Sequence, residues 1–243
     1  RVSACDLFLY VGGESDRWVK DALKEAVNTD MRTVNLIETL GDAAKEEELT
    51  EGMEPEPEEE ESGEIAYDEH VWLSVRNAIL FCESIERALC ALDPANAADY
   101  AANARSYVEK QRALDARYAN AVADAPQKTL LFGDRFPFRY LTDDYGLQYY
   151  AAFAGCSAET EASFQTVAFL AKKADELALP AVLTIEGARH DNAKTIVQNT
   201  KKKDQKVLTL DSMQSVTESD MQNGATYLSI MENNLAVLQE ALR

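Results

Sequence analysis

Basic residues are scarce in this chain. Its 243 residues include 24 lysines and arginines against 43 aspartates and glutamates, so the formal net charge at pH 7 is -19. A surface this acidic repels the phosphates of nucleic acids and of anionic lipid headgroups. We therefore expect no nucleic-acid partner and no binding to an anionic membrane surface, whereas binding of cations is compatible with the charge.

Long apolar runs are also missing. No stretch reaches the roughly 20 residues that a membrane-spanning helix needs, and no secretory leader opens the sequence. Residues 7–11 already have the pattern of an apolar strand, so we expect a chain that is processed or truncated at its N-terminus. Apolar residues still make up 46% of the composition, which is enough for one large domain or two lobes with cores of their own.

The four cysteines form no CxxC pair and no zinc-ribbon spacing; they are Cys5, Cys82, Cys90 and Cys156. If Cys82 and Cys90 lie on one helix, they are about 12 Å apart along its axis, too far for a disulfide. We interpret the cysteines as small buried apolar residues, which do not identify a cellular compartment.

Signatures of the common catalytic centres are absent: the sequence has no GxSxG, HExxH, P-loop or GxGxxG motif. It has only two histidines, His70 and His190, and each taken alone also fits a structural role near a helix start. We therefore predict that the chain is not an enzyme. An α/β enzyme with an unrecognised carboxylate site is the enzymatic alternative.

Strand and helix patterns alternate along both halves of the chain. In the first half, apolar strands are predicted at 7–11 and 32–37, with a helix between them that Ser15 could cap. In the second half, strands are predicted at 129–132, 148–153, 181–185 and 207–210, and helices at 138–144, 160–178, 191–200 and 220–242. This alternation is typical of parallel α/β sheets.

Two unusual segments separate these halves. Residues 45–64 hold eleven glutamates and one lysine with almost nothing apolar, so we predict a disordered acidic loop. After a break at Asp93-Pro94, residues 95–124 have the pattern of one long helix. We predict an N-terminal α/β lobe over 1–94, a long rigid interlobe helix over 95–125 and a C-terminal α/β lobe over 126–243.

Several motifs resemble one family when they are taken in order. Asp68-Glu-His-Val-Trp-Leu-Ser74 resembles the Asp-Pro-His-x-Trp-Leu-Ser segment of the zinc/manganese solute-binding proteins of ABC importers. Residues 138–147 are similar to that family's Phe-x-Tyr…Tyr-Gly-Leu segment, and Asp211-Ser212 with 227–235 to its C-terminal ending. The acidic tract and the long helix occupy the places of its acid- and His-rich loop and its interlobe helix.

The resemblance implies a metal-type periplasmic binding protein fold, in which two parallel-sheet α/β lobes are joined by a long helix and one ion binds in the cleft. It places His70 and Asp211 at ligand positions. A third ligand position falls on Arg135, whose guanidinium stays protonated and cannot ligate a metal. Another lies upstream of Arg1. The standard site is therefore expected to be incomplete, and upstream residues must supply ligands if a tight site exists.

Arg135 in such a cleft needs a compensating charge, because an unpaired buried charge costs several kcal/mol. The resemblance leaves three possibilities: Arg135 pairs with Glu186, it pairs with Asp211, or Asp134 turns inward. Glu186 is the first choice because it ends the predicted strand 181–185, and α/β clefts carry functional groups at strand ends. We predict a hydrogen-bonded pair between Arg135 and one of these three carboxylates, with Glu186 as the first choice.

The implied function is the extracytoplasmic binding component of a divalent-metal ABC importer, a periplasmic protein or cell-surface lipoprotein. We expect a monomer with a membrane permease as its partner. Zn²⁺ is the first candidate because of the acidic loop, and Mn²⁺ the second because Asp211 suits a harder ion. The alternative is the same fold without tight metal binding, acting as an adhesin or partner-docking protein. The acidic tract fits either a solvated linker or a weak collector of divalent cations.

Overall fold

A computed structural model of the chain describes residues 2–53, 67–155, 161–187 and 189–243. The chain divides into two compact units. The first unit contains Arg1–Glu46 and Ile65–Asp115, and the second contains Glu47–Glu64 and Ala116–Arg243. The boundary between them falls inside the long helix, whereas the predicted lobes end on either side of that helix.

The first unit begins with the predicted strand–helix–strand arrangement. Strand β1 (Leu7–Tyr10) pairs in parallel with β2 (Arg32–Asn35), and helix α1 (Val19–Lys24) lies between them in sequence. Helix α2 (Leu36–Leu40) follows directly, capped by the Asn35 side chain. Helix α1 is shorter than predicted, and Ser15 does not cap it because the helix begins at Val19, with Trp18 at the N-cap position. The backbone N–H of Ser15 donates to Glu69.

Two long helices follow the acidic tract. Helix α3 (Val75–Leu92) is preceded by a 3-10 turn (Val71–Leu73), and the Ser74 hydroxyl caps it by accepting the N–H of Asn77 at 2.9 Å. Pro94–Asn96 then form a 3-10 turn that leads into α4 (Ala97–Asp124), whose 28 residues confirm the predicted long helix. None of the helices in the described ranges is long and apolar enough to cross a membrane.

The second unit is built on a four-stranded parallel sheet with the order β4-β3-β5-β6. Its strands are β3 (Thr129–Arg135), β4 (Gln148–Phe153), β5 (Ala181–Ile185) and β6 (Lys206–Leu210), and its first helices are α5 (Arg139–Tyr145), α6 (Phe164–Glu176) and α7 (Asp191–Asn199). Fully buried apolar side chains of the strands, α6 and α7 form one core cluster that includes Leu131, Phe153, Leu170, Val182 and Ile196. Burying each such side chain contributes about 1.5–3 kcal/mol.

The predicted single C-terminal helix is wrong, because two helices occupy that region. They are α8 (Glu218–Gln222) and α9 (Tyr227–Ala241). Gly224 between them has a φ of 96°, a conformation that favours glycine and ends a helix. Thr226 then starts α9 with a capping box to Ser229.

The described cysteines are thiols rather than disulfides. Cys5, Cys82 and Cys90 are free and half-buried, so the expectation that they are fully buried is wrong for these three. Cys156 lies outside the described residues.

Part of the acidic tract is packed against the second unit. Glu48 forms an ion pair with Arg139 at the start of α5, and Glu51 Oε2 lies 3.4 Å from the Lys173 ammonium on α6. The prediction of an unpacked loop over 45–64 is therefore too broad for its first residues.

Backbone packing reinforces these ion pairs. Gly52 has a φ of 89° and lies so close to the ring of Phe169 that a Cβ at this position would overlap the ring. Residues 54–64, which carry most of the glutamates of the tract, lie outside the described residues.

Candidate metal centre

His70 is positioned by the aspartate two residues before it. Its backbone N–H donates to Asp68 Oδ1 at 2.8 Å, and its ring Nδ1 lies 3.0 Å from the same oxygen. The histidine is only 2% exposed. When Nδ1 carries the proton that bonds this carboxylate, Nε2 presents its lone pair, which is the arrangement of metal-ligating histidines. In the described part of the chain, no hydrogen bond is made by Nε2.

The segment that carries His70 is fixed on both sides. Asp68 donates its backbone N–H to the carbonyl of Lys45 at 2.8 Å. Glu69 Oε1 accepts the N–H of Ser15 at 2.8 Å, and its side chain packs so closely on Gly13 that a Cβ there would overlap it. The turn after β1 therefore sets the position of the histidine.

The other predicted site residues lie at the carboxyl ends of three neighbouring strands of the second unit. Asp134 and Arg135 end β3, Glu186 follows β5, and Asp211 follows β6. Because the strands are parallel, these residues share one edge of the sheet, where open α/β sheets bind ligands. The register between β3 and β4 shifts between Phe132 and Arg135, an irregularity of the kind that often occurs beside functional sites.

The Glu186 carboxylate binds the loop after β6, and the predicted pair between Arg135 and one of the nearby carboxylates stays a prediction. The Glu186 carboxylate accepts the N–H and the hydroxyl of Ser212, both at 2.7 Å, and the N–H of Gln214 at 3.0 Å. Among the described residues, these are the donors that bind Glu186. Three donors in the loop after β6 satisfy this carboxylate, whereas the backbone N–H of Arg135 donates to its neighbour Asp134 at 2.9 Å.

Asp211 is held by its own loop and by α9. Its Oδ1 accepts the N–H of Met213 at 2.7 Å, and its backbone N–H and C=O both pair with the side-chain amide of Asn234 at 2.8 Å. Burial raises the pKa of the Asp211 carboxyl, and the charges of Glu186 and Asp220 raise it further. A cation bound here would offset both effects, and Oδ2 has no hydrogen-bond donor among the described residues.

Asp211→Asn is expected to stabilise the metal-free protein at neutral pH. The raised pKa means that the folded state disfavours the ionised carboxylate, so the wild-type protein loses stability as the pH rises through the folded pKa. The amide carries no charge and retains an oxygen for the N–H of Met213. Urea unfolding at several pH values should give the variant a higher free energy of unfolding than the wild-type protein near pH 7. This difference should disappear below the ordinary aspartate pKa. If the free energies of unfolding differ by the same amount at all pH values, the ionised Asp211 carboxylate is not the cause of the difference.

An imidazole nitrogen and a carboxylate oxygen, the atoms that His70 carries in the first unit and Asp211 in the second, are both ordinary zinc ligands. Within residues 2–53, 67–155, 161–187 and 189–243, no group of three or more His, Cys, Asp or Glu side chains is placed to hold a metal ion. Zinc normally takes three or four protein ligands, so neither residue makes a zinc site by itself.

Two residues that shape this centre were not identified from the sequence. Asp68 belongs to the motif around His70, and its spacing of two residues from the histidine is the signal that could have indicated a bond to Nδ1. Asn234 interrupts the apolar stripe of α9 and is 1% exposed. A buried asparagine on an apolar helix face usually has specific partners, but the sequence does not show that Asp211 is that partner.

The fold defines a class. Parallel α/β sheets and one long helix that both units share are the features of the metal-type solute-binding fold. The chain belongs to the family described as zinc-uptake complex component A, periplasmic (ZnuA), whose model matches residues 1–241.

Curated relatives support this assignment. The chain is 32% identical over 246 residues to the zinc-binding lipoprotein AdcA of Streptococcus pneumoniae serotype 4, covering 99% of this chain and 46% of that protein. It is 29% identical over 245 residues to the high-affinity zinc uptake system protein ZnuA of Bacillus subtilis, covering 99% of this chain and 73% of the relative. The chain thus spans about half the length of the AdcA relatives.

Solved structures show the same fold. The Zn(II)-bound ZnuA-like domain of Streptococcus pneumoniae AdcA has a TM-score of 0.74 at 29% identity and covers 99% of this chain, which covers 81% of it. The metal-dependent lipoprotein YcdH of Bacillus subtilis has a TM-score of 0.77 at 25% identity, with 98% of this chain and 81% of that chain covered. These matches confirm the predicted metal-type binding protein fold.

Proposed function

We propose that this chain is the extracytoplasmic solute-binding component of a zinc ABC importer, at the cell surface as a lipoprotein or in the periplasm. One observation carries the proposal most directly. His70 is buried, and Asp68 accepts a hydrogen bond from its Nδ1, which leaves Nε2 to bind a metal. The zinc-binding names of the relatives support the same ion.

His70 and Asp211 are the proposed ligands of one zinc ion. The proposal that one ion binds both rests on the family positions that they match. Both side chains have a fixed position and an atom without a hydrogen bond among the described residues, Nε2 of His70 and Oδ2 of Asp211. Water or further protein donors complete the coordination, because two ligands are too few for zinc.

The proposed role is binding and delivery without chemical change. The ion is the cargo, and the permease of the importer is the partner that takes it from a monomeric binding protein. Zinc is favoured over manganese because an imidazole ligand suits zinc better, whereas carboxylate and water ligands suit manganese.

Calorimetric titration of the metal-free protein tests this function, with zinc and manganese added in separate experiments. We expect saturable binding of one zinc ion and weaker binding of manganese. Zinc at 100 times its dissociation constant should add about 2.7 kcal/mol to the free energy of unfolding. If neither ion binds, the importer function is wrong, and a binding protein of this fold that acts as an adhesin or partner-docking protein becomes the better hypothesis.

A further inference from the structure

The loop after β6 is held by hydrogen bonds to two carboxylates. Residues 212, 213 and 214 each donate a backbone N–H to a carboxylate: Ser212 and Gln214 to Glu186, and Met213 to Asp211. Met213 has a φ of 62°, a strained conformation for a residue with a side chain. These hydrogen bonds stabilise the loop in this conformation.

A second contact fixes the peptide groups on both sides of the Asp211 Cα. The Asn234 amide accepts the N–H of Asp211 through Oδ1 and donates to its C=O through Nδ2, each at 2.8 Å. This two-point contact resembles one step of a β-ladder and fixes both the position and the direction of the Asp211 backbone. Because Asn234 is 1% exposed, water has little access to replace it.

Together these contacts determine where the Asp211 carboxylate points. The Met213 N–H binds Oδ1, so rotation of the carboxylate is restricted and Oδ2 is presented in one direction. A ligand atom held in place before the metal arrives loses less conformational freedom on binding. Loosening either contact should therefore weaken metal binding through the position of Asp211.

We propose that Glu186 and Asn234 are positioning residues that orient Asp211 toward the metal ion, an inference that rests on the proposed zinc-binding function. Glu186 fixes the loop that follows Asp211, and Asn234 fixes its backbone from α9. Residues that orient metal ligands typically change metal affinity by about 10–100-fold when they are replaced.

Asn234→Ala tests this proposal without any change of charge. It removes both amide bonds to Asp211, whereas Asn233→Ala alters an exposed neighbour on the same helix and serves as the matched control. We expect zinc affinity to fall about tenfold in Asn234→Ala and to stay at the wild-type value in Asn233→Ala.

Glu186→Gln is the second variant, and it keeps the proposal testable if Asn234→Ala does not fold. Glutamine replaces one of the two carboxylate oxygens of Glu186 with an NH2 group, which donates and cannot accept a backbone N–H. Because each oxygen now accepts a backbone N–H, at least one bond to Ser212 or Gln214 is lost. Here too we expect zinc affinity to fall about tenfold.

Cobalt absorption separates positioning from general destabilisation. The visible bands of bound Co²⁺ depend on ligand number and geometry, so a displaced Asp211 should change their intensity well below the melting temperature of the variant. If wild-type protein binds zinc but folded variants at both positions keep its affinity and its cobalt spectrum, the positioning role is wrong and the zinc function stands. If wild-type protein binds no zinc, the proposed function itself fails.

Discussion

His70→Ala is expected to weaken zinc binding at least tenfold, or about 1.4 kcal/mol. The substitution removes the proposed imidazole ligand and leaves the Asp68 carboxylate without the hydrogen bond from Nδ1. Calorimetry or competition with a chelator of known affinity gives the change directly. The loss should be large because a site that depends on few protein ligands has little to replace the missing one.

His190→Ala is the matched control, since His190 is the other histidine of the chain and precedes α7 in the second unit. It should leave zinc affinity unchanged. Melting curves of both metal-free variants show whether either has lost its fold. Equal zinc affinity in wild-type protein and folded His70→Ala would remove His70 from the site.

Arg135→His is expected to increase zinc affinity about tenfold. Arg135 occupies the position that the family resemblance assigns to a third ligand. An arginine there cannot ligate a metal and places a positive charge at the edge of the sheet that carries Asp211. Histidine removes the charge and adds a ligand of a type that zinc prefers.

Arg135→Gln separates these two contributions, because glutamine removes the charge without adding an imidazole. We expect its zinc affinity to lie between those of the wild-type protein and Arg135→His. If the histidine variant folds normally and binds zinc no better than the glutamine variant, the position does not face the ion.

Much of the fold could be predicted because local patterns and tertiary packing agree. The bounds of β4 and β5 match their predicted strands, since both are apolar runs bounded by turns. The division into α8 and α9 differs from the single predicted helix because Gly224 follows the end of the first and Thr226 caps the start of the second. Both signals are local, and both belong to the residue types that mark helix ends in a sequence.

The site was harder to predict because its decisive contacts join residues that are distant in sequence. The strand-end argument correctly placed Glu186 at the carboxyl edge of the sheet, whereas Asp211 was assigned through the family resemblance alone. The partner of Glu186 depends on the loop after β6, whose backbone N–H groups carry no sequence signature. Asn234 lies 23 positions from Asp211, and only the packing of α9 brings the two together.

The central claim is that one zinc ion binds both His70 and Asp211, and a double-mutant cycle tests it most directly. Zinc affinity is measured for wild-type protein, His70→Ala, Asp211→Asn and the double variant. If the two residues share an ion, we predict that the double variant loses clearly less than the sum of the single losses, a coupling of about 1 kcal/mol or more. Additive losses would show that the residues act at separate places and would contradict a shared zinc site.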